Sequence, residues 1–189
     1  KVTIDGETID VAMPRTERTT GAGHRDFEVK CDHRLSVGED LARRDFTMNA
    51  IAVDLATGLA IDPFNGQADL RDNRIVCVGD PNERFMEDPL RMLRAIRFVA
   101  KLGFDIEANT SKAITNNSDM LKTIAPERVS GELMRLLSYP NAEHVVKALR
   151  CARDMAVLDE IIPEFASSIG FDQKNKHHYL TVDEHVFKA

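Results

Sequence analysis

The chain has 189 residues, a formal net charge of −6 and 43% hydrophobic residues, enough to bury a core in one or two domains. An acidic balance argues against a general nucleic-acid binder, although the local field decides what a given surface holds. The longest apolar runs fall far short of the ~20 residues a membrane helix needs, and no secretory signal opens the chain. Cys31, Cys77 and Cys151 are widely spaced and odd in number, which points to reduced thiols in a cytoplasm-like compartment rather than a disulfide frame or a zinc site.

From the start, Val2-Thr3-Ile4, the turn Asp5-Gly6 and an alternating stretch over 8–13 predict a hairpin. Asp10, within Ile9-Asp10-Val11, reads either as a strand carboxylate beside a reaction centre or as a solvent-facing aspartate. Asp26, Asp32 and Asp40 lack such a setting and read as surface. Next comes Arg43-Arg44-Asp45-Phe46-Thr47-Met48-Asn49, where Asn49 follows Asp45 at the helical same-face distance. A carboxylate and an amide so placed can grip sugar hydroxyls while Arg44 reaches phosphate. The competing reading is that Asp45 caps a helix starting at Phe46 and pairs with Arg43. Residues 51–54 and 59–61 predict a second hairpin, and Asp62-Pro63-Phe64-Asn65-Gly66 a turn entering a short helix.

Beyond Pro81 the period is helical, with helices predicted over 89–102, 110–120, 127–138, 142–153 and from 181 onward. In the first of these, Asp88 caps the start before Pro89 and Gly103 marks the stop. Arg91, Arg94, Arg97 and Lys101 then share one third of the helix surface, while Met92, Leu93, Ala95, Ile96, Val99 and Ala100 take most of the rest. Guanidinium groups suit phosphate oxygens because they bind in pairs and keep their charge. Phe46, Met48 and Phe98 read as core.

The segments RRDFTMNA (43–50), DPFNGQADL (62–70), EDPLRMLRAIRF (87–98) and ERVSGEL (127–133), in this order, resemble the class II tRNA nucleotidyltransferases. These are the CCA-adding enzymes, with the bacterial poly(A) polymerases as close relatives. Residues 15–23 resemble a mobile loop of the bacterial CCA-adding branch. The resemblance implies an α+β chain: part of a polymerase-beta-like nucleotidyltransferase head with a mixed sheet over 1–80, then an all-helical neck over 81–140 and body over 141–189. It implies addition of C and A to tRNA 3′ ends from CTP and ATP, in the cytoplasm and without a membrane. Bacterial poly(A) polymerase is the alternative enzyme, and a non-catalytic RNA- or nucleotide-binding fragment the alternative of another class.

By the same resemblance, Asp88 and Arg91 read the base, Arg94, Arg97 and Arg44 hold the triphosphate, and Asp45 with Asn49 holds the ribose. Glu87 orients the base-reading pair or is a plain helix-entry acid. Arg128 and Glu132, at i and i+4, pair along their helix to brace the neck rather than act as a catalytic couple. The family's chemistry uses Mg2+ held by an Asp-x-Asp motif, which does not occur in this sequence, so the ligands are expected upstream of Lys1 and Asp10 is the one candidate addition. His177, His178 and His185 resemble the entrance of an HD-type domain, but one ligand closes no metal site. His24, His33 and His144 read as ordinary surface or loop residues.

Overall fold

A computed structural model describes residues 1–13, 15–19, 27–31, 33–174 and 179–188. The front is built from strand pairs. β1 (Val2–Ile4) and β2 (Glu7–Ile9) pair antiparallel across a turn where Asp5 and Gly6 have φ of 50° and 85°. Strand pairing ends at Ile9, opposite Val2, so residues 10–13 of the predicted stretch are not strand. β3 (Arg15–Thr19) and β4 (Phe27–Cys31) pair antiparallel, so 15–19 is a strand rather than loop; residues 20–23 of that expectation lie outside the described residues, as do His24, Asp26, Asp32, His177 and His178.

α1 (Val37–Ala42) starts with a capping box: Ser36 Oγ accepts from the Glu39 amide at 3.2 Å, and Glu39 accepts from the Ser36 amide at 2.8 Å. A 3-10 turn follows at Thr47–Asn49, then the hairpin β5 (Ala52–Val53) and β6 (Ala60–Ile61), and α2 (Gly66–Arg71). Asp62 caps α2 through the Gly66 amide at 2.7 Å and the Gln67 amide at 2.9 Å. β7 (Arg74–Ile75) precedes α3 (Pro81–Glu87) and α4 (Leu90–Leu102). β8 (Asp105–Ile106) pairs parallel with β7, so the expected all-helical second part contains a strand that ties it back to the first.

Then come α5 (Ala108–Asn117), a 3-10 stretch (Ser118–Thr123), α6 (Pro126–Leu137), α7 (Ala142–Asp154), α8 (Val157–Ile161), α9 (Pro163–Ala166) and α10 (Val182–Lys188). The class is α+β, as expected. α4 is the axis of the core: Met92, Ala95, Ile96 and Val99 are fully buried, and α6 and α7 pack along it. Gly103 ends α4 in the left-handed region at φ 73°, and a Cβ there would lie 2.4 Å from His144 Nε2. His144 is therefore a packing residue against the end of α4, not the ordinary surface histidine expected. Among the described residues, no helix is long and apolar enough to cross a membrane.

Candidate functional site

Burying one face of α4 leaves Arg91, Arg94, Arg97 and Lys101 along the floor of an open cleft of about 670 Å³. Arg43, Arg44, Asp45 and Asn49 form one wall, Asp88 lies at the helix entrance, and Arg128 on α6 closes another side. Three segments far apart in sequence thus meet. The pieces that meet are those predicted to read base, ribose and phosphate.

The 43–49 segment is held from behind. Thr47 N–H donates to Val76 O at 2.9 Å and Val78 N–H to Asp45 O at 3.1 Å. Cys77 Sγ also donates to Asp45 O, and burial pushes its thiol up to about 12, so it stays protonated and acts as packing. Phe46 is fully buried and meets Phe98 edge-on at 5.7 Å, with Met48 half-buried nearby, so all three are core as expected. The DPFNGQADL motif serves the same purpose. Its Gly66 sits so close to the 3-10 turn that a Cβ would fall 2.1 Å from Thr47 O, and its Asp69 accepts from Thr47 Oγ1 at 2.8 Å.

Asp45 is almost fully buried, and both its oxygens are engaged. Oδ1 accepts from the Phe46 amide and from Asn49 Nδ2, each at 2.9 Å. Oδ2 accepts from Arg94 Nε at 2.8 Å and Nη2 at 2.6 Å. Asp45 thus accepts from the amide of the next residue but does not cap the turn, which starts at Thr47 with Phe46 as its N-cap, and its ionic partner is Arg94, 49 positions away, and not Arg43. Arg43 pairs with Asp40 at 2.7 Å, and Arg44 reaches the same carboxylate at 3.3 Å. Asp40, expected on the surface, is a half-buried brace for both arginines.

At the entrance of α4, the helix starts one residue later than predicted, yet Asp88 Oδ1 still accepts from the Leu90 amide at 3.2 Å. Its other oxygen accepts from Arg128 Nη2 at 3.1 Å. Arg91 is only 12% exposed and donates to Glu87 at 2.9 Å, to Arg84 O at 3.3 Å and to Arg43 O at 3.2 Å. Those bonds use three of a guanidinium's five N–H groups and fix its plane. Glu87 thus orients Arg91 from behind, with Arg84 as its second partner.

Arg97 faces differently. Its Nε donates to Glu132 at 2.6 Å and its Nη1 to the Tyr139 hydroxyl at 3.1 Å, and its guanidinium lies 4.5 Å from the Phe98 ring centre. Burial works against its charge, but the bonds to Glu132 and Tyr139 outweigh it and raise the pKa above the ordinary arginine value. The expected pair of Arg128 with Glu132 does not form. α6 packs against α4, and each side chain reaches across instead: Arg128 to Asp88, and Glu132, 5% exposed, to Arg97, while Arg135 on Glu132's own helix holds its other oxygen at 3.0 Å.

Asp10 lies outside the cleft. It is 77% exposed and meets Lys1 at 3.7 Å just past β2. Near the C-terminus, Asp183 and Glu184 are engaged by Arg153, at 2.8 and 2.6 Å. Among the described residues no group of three or more His, Cys, Asp or Glu side chains could hold a metal ion. Among the described residues, Asp10 and His185 belong to no such group.

A cleft floored by an arginine ladder, with Asp45 and Asp88 on its walls, has the donor set that suits a phosphorylated ligand. Residues 1–76 match the model of the poly A polymerase head domain, and residues 103–169 that of the probable RNA and SrmB-binding site of polymerase A. The CCA-adding enzyme of Lactobacillus helveticus is 41% identical over 168 residues, 87% of this chain and 40% of that protein. The Bacillus stearothermophilus CCA-adding enzyme, solved in complex with CTP, is 43% identical with a TM-score of 0.63, covering 68% of this chain and 31% of that one. The Thermotoga maritima enzyme, solved with tRNA-CCA, is 32% identical with a TM-score of 0.62, covering 69% and 32%. The chain belongs to the family of CCA-adding tRNA nucleotidyltransferases and bacterial poly(A) polymerases. It spans about two-fifths of the length of the curated relatives it matches.

Proposed function

We propose that this chain is the nucleotide-selecting part of an enzyme that adds C and A to the 3′ ends of tRNA from CTP and ATP. The observation that carries the reading is the convergence of Asp88 and Arg91 with the 43–49 segment on one cationic cleft, in a chain whose solved relatives were captured with CTP and with tRNA.

In this reading Asp88 accepts and Arg91 donates, matching the amine and ring nitrogen that cytosine and adenine both present. Uracil and guanine reverse that pattern and would leave acceptors facing acceptors, a costly mismatch in a partly dry site. Arg91 reaches the base with the two N–H groups its three fixed bonds leave over. Arg44 and Arg94, the more open guanidiniums, take the triphosphate, with Arg97 behind them. The ribose falls to Asn49, whose amide is aimed by Asp45. Arg128 holds the plane of Asp88, and Glu132 holds Arg97.

Divalent metal would supply activation of the attacking 3′-hydroxyl and of the leaving pyrophosphate. Its ligands would come from parts of the protein this chain does not contain. The working division is a head portion over 1–80, a neck over 81–140 and a body over 141–189, acting in the cytoplasm, where Cys77 and Cys151 stay as free thiols.

The test is extension of tRNA lacking its terminal CCA by the full-length protein that carries this chain. Products one, two and three nucleotides longer, with the last requiring ATP, support the reading. A long run of A from ATP alone would make it a poly(A) polymerase, and tRNA binding with no extension would make it a binding module.

A further inference from the structure

Each of the six arginines of the cleft has a carboxylate partner. Arg43 and Arg44 share Asp40, Arg91 has Glu87, Arg94 has Asp45, Arg97 has Glu132 and Arg128 has Asp88. Lys101 is the exception: it lines the cleft, is exposed, and among the described residues is its one cation without a carboxylate partner. It lies on the last turn of α4, about 15 Å along the axis from Arg91. A lysine there could simply serve the free carbonyls of the helix end. Lys147 already places a cation at that end, donating from Nζ to Gly103 O at 2.7 Å.

We infer that Lys101 is a subsite for a backbone phosphate of the RNA being extended. The inference rests on the nucleotide-selecting reading above and adds a place for the second substrate. Arginines held by carboxylates have fixed planes, which suits measuring a small ligand by geometry. An unpaired ammonium on a flexible stem is the opposite: it supplies net charge and tolerates a range of phosphate positions. A 3′ strand that shifts by one nucleotide after each addition needs contacts of that second kind. Lys101 lies three turns beyond the base-reading entrance and one turn past Arg97, the last arginine assigned to the triphosphate.

The test measures the affinity of full-length protein for tRNA lacking CCA at several salt concentrations, with wild type and Lys101→Ala. Loss of one single-strand phosphate contact should reduce the slope of log affinity against log salt by about 0.7, with affinity falling several-fold near physiological salt. Lys101→Arg should restore the slope. A second arm measures CTP affinity without RNA. An unchanged slope in Lys101→Ala, or a loss of CTP affinity as large as the loss for tRNA, would overturn the inference; the latter would assign Lys101 to the triphosphate. Wild-type protein that binds no tRNA at all would instead overturn the reading beneath it.

Discussion

At the scale of single residues, the site works by making carboxylates aim arginines and amides. Asp45 shows this most clearly, since its two oxygens carry four hydrogen bonds and leave no lone pair free. The residue predicted to hold the ribose is therefore the one that positions Asn49 and Arg94. Asn49→Ala should lower the preference for ATP over 2′-deoxy-ATP by about tenfold, the equivalent of one buried hydrogen bond. Asp45→Ala should collapse the same preference and also weaken ATP itself, because Arg94 loses its anchor. Steady-state kinetics of the full-length enzyme with both nucleotides check this. A preserved ribose preference in Asp45→Ala, with only a lower melting temperature, would leave Asp45 a structural brace alone. These partnerships were not legible in the sequence. The local pairs that spacing suggested, Asp45 with Arg43 and Arg128 with Glu132, lost to pairs 49 and 35 positions apart, because the carboxylates are buried against a neighbouring element and the nearest guanidinium in space serves them.

At the scale of elements, the motifs divide into those that touch the cleft and those that hold it in place. The segment 62–70 is of the second kind, and Gly66 is its critical point. Its φ is ordinary, so glycine is required for space alone, with the Thr47 carbonyl 2.1 Å from where a Cβ would stand. Gly66→Ala should push the 3-10 turn aside, destabilising the protein by about 1–3 kcal/mol. It should also weaken nucleotide binding without touching a lining residue; calorimetric melting together with CTP titration reads both effects.

α10 offers a pH-dependent counterpart. Burial raises the Asp183 carboxyl, but bonds from Thr181, Arg153 and the Gly170 amide outweigh it, and Arg150 with Arg153 lowers Glu184. Both carboxylates are held below their unfolded range, so their contribution is complete above about pH 4–5 and is lost as pH falls through the depressed values. NMR of the buried Phe187 ring should report α10 releasing from α7 in acid before the α4 core melts. Arg153→Ala should release it already at neutral pH; a Phe187 signal indifferent to both changes would remove this clamp.

For the whole molecule, what sequence reasoning could reach follows from length and periodicity. α4, α6 and α7 were legible because 12 or 13 residues carry an apolar stripe long enough to recognise. α1 and α3 were missed although their signals were present, the Ser36–Glu39 capping box and the Asp80-Pro81 start; helices of six and seven residues are too short for a period. The two-residue pairing of β7 with β8 left no pattern at all, yet it closes the second part onto the first. The cleft residues were legible only as separate motifs. Their convergence is a product of the tertiary fold.

The central claim is that this cleft chooses nucleotides by the edge of the base. Equilibrium binding of CTP, ATP, UTP and GTP to the full-length protein, wild type and Arg91→Ala, tests it most directly. The account predicts CTP and ATP bound at least about tenfold tighter than UTP and GTP in wild type, matching one mismatched buried polar pair. The variant should hold all four within a few-fold of each other, since phosphate contacts carry no base information. Equal affinity for all four nucleotides in wild type, or a preference that survives Arg91→Ala unchanged, would contradict it.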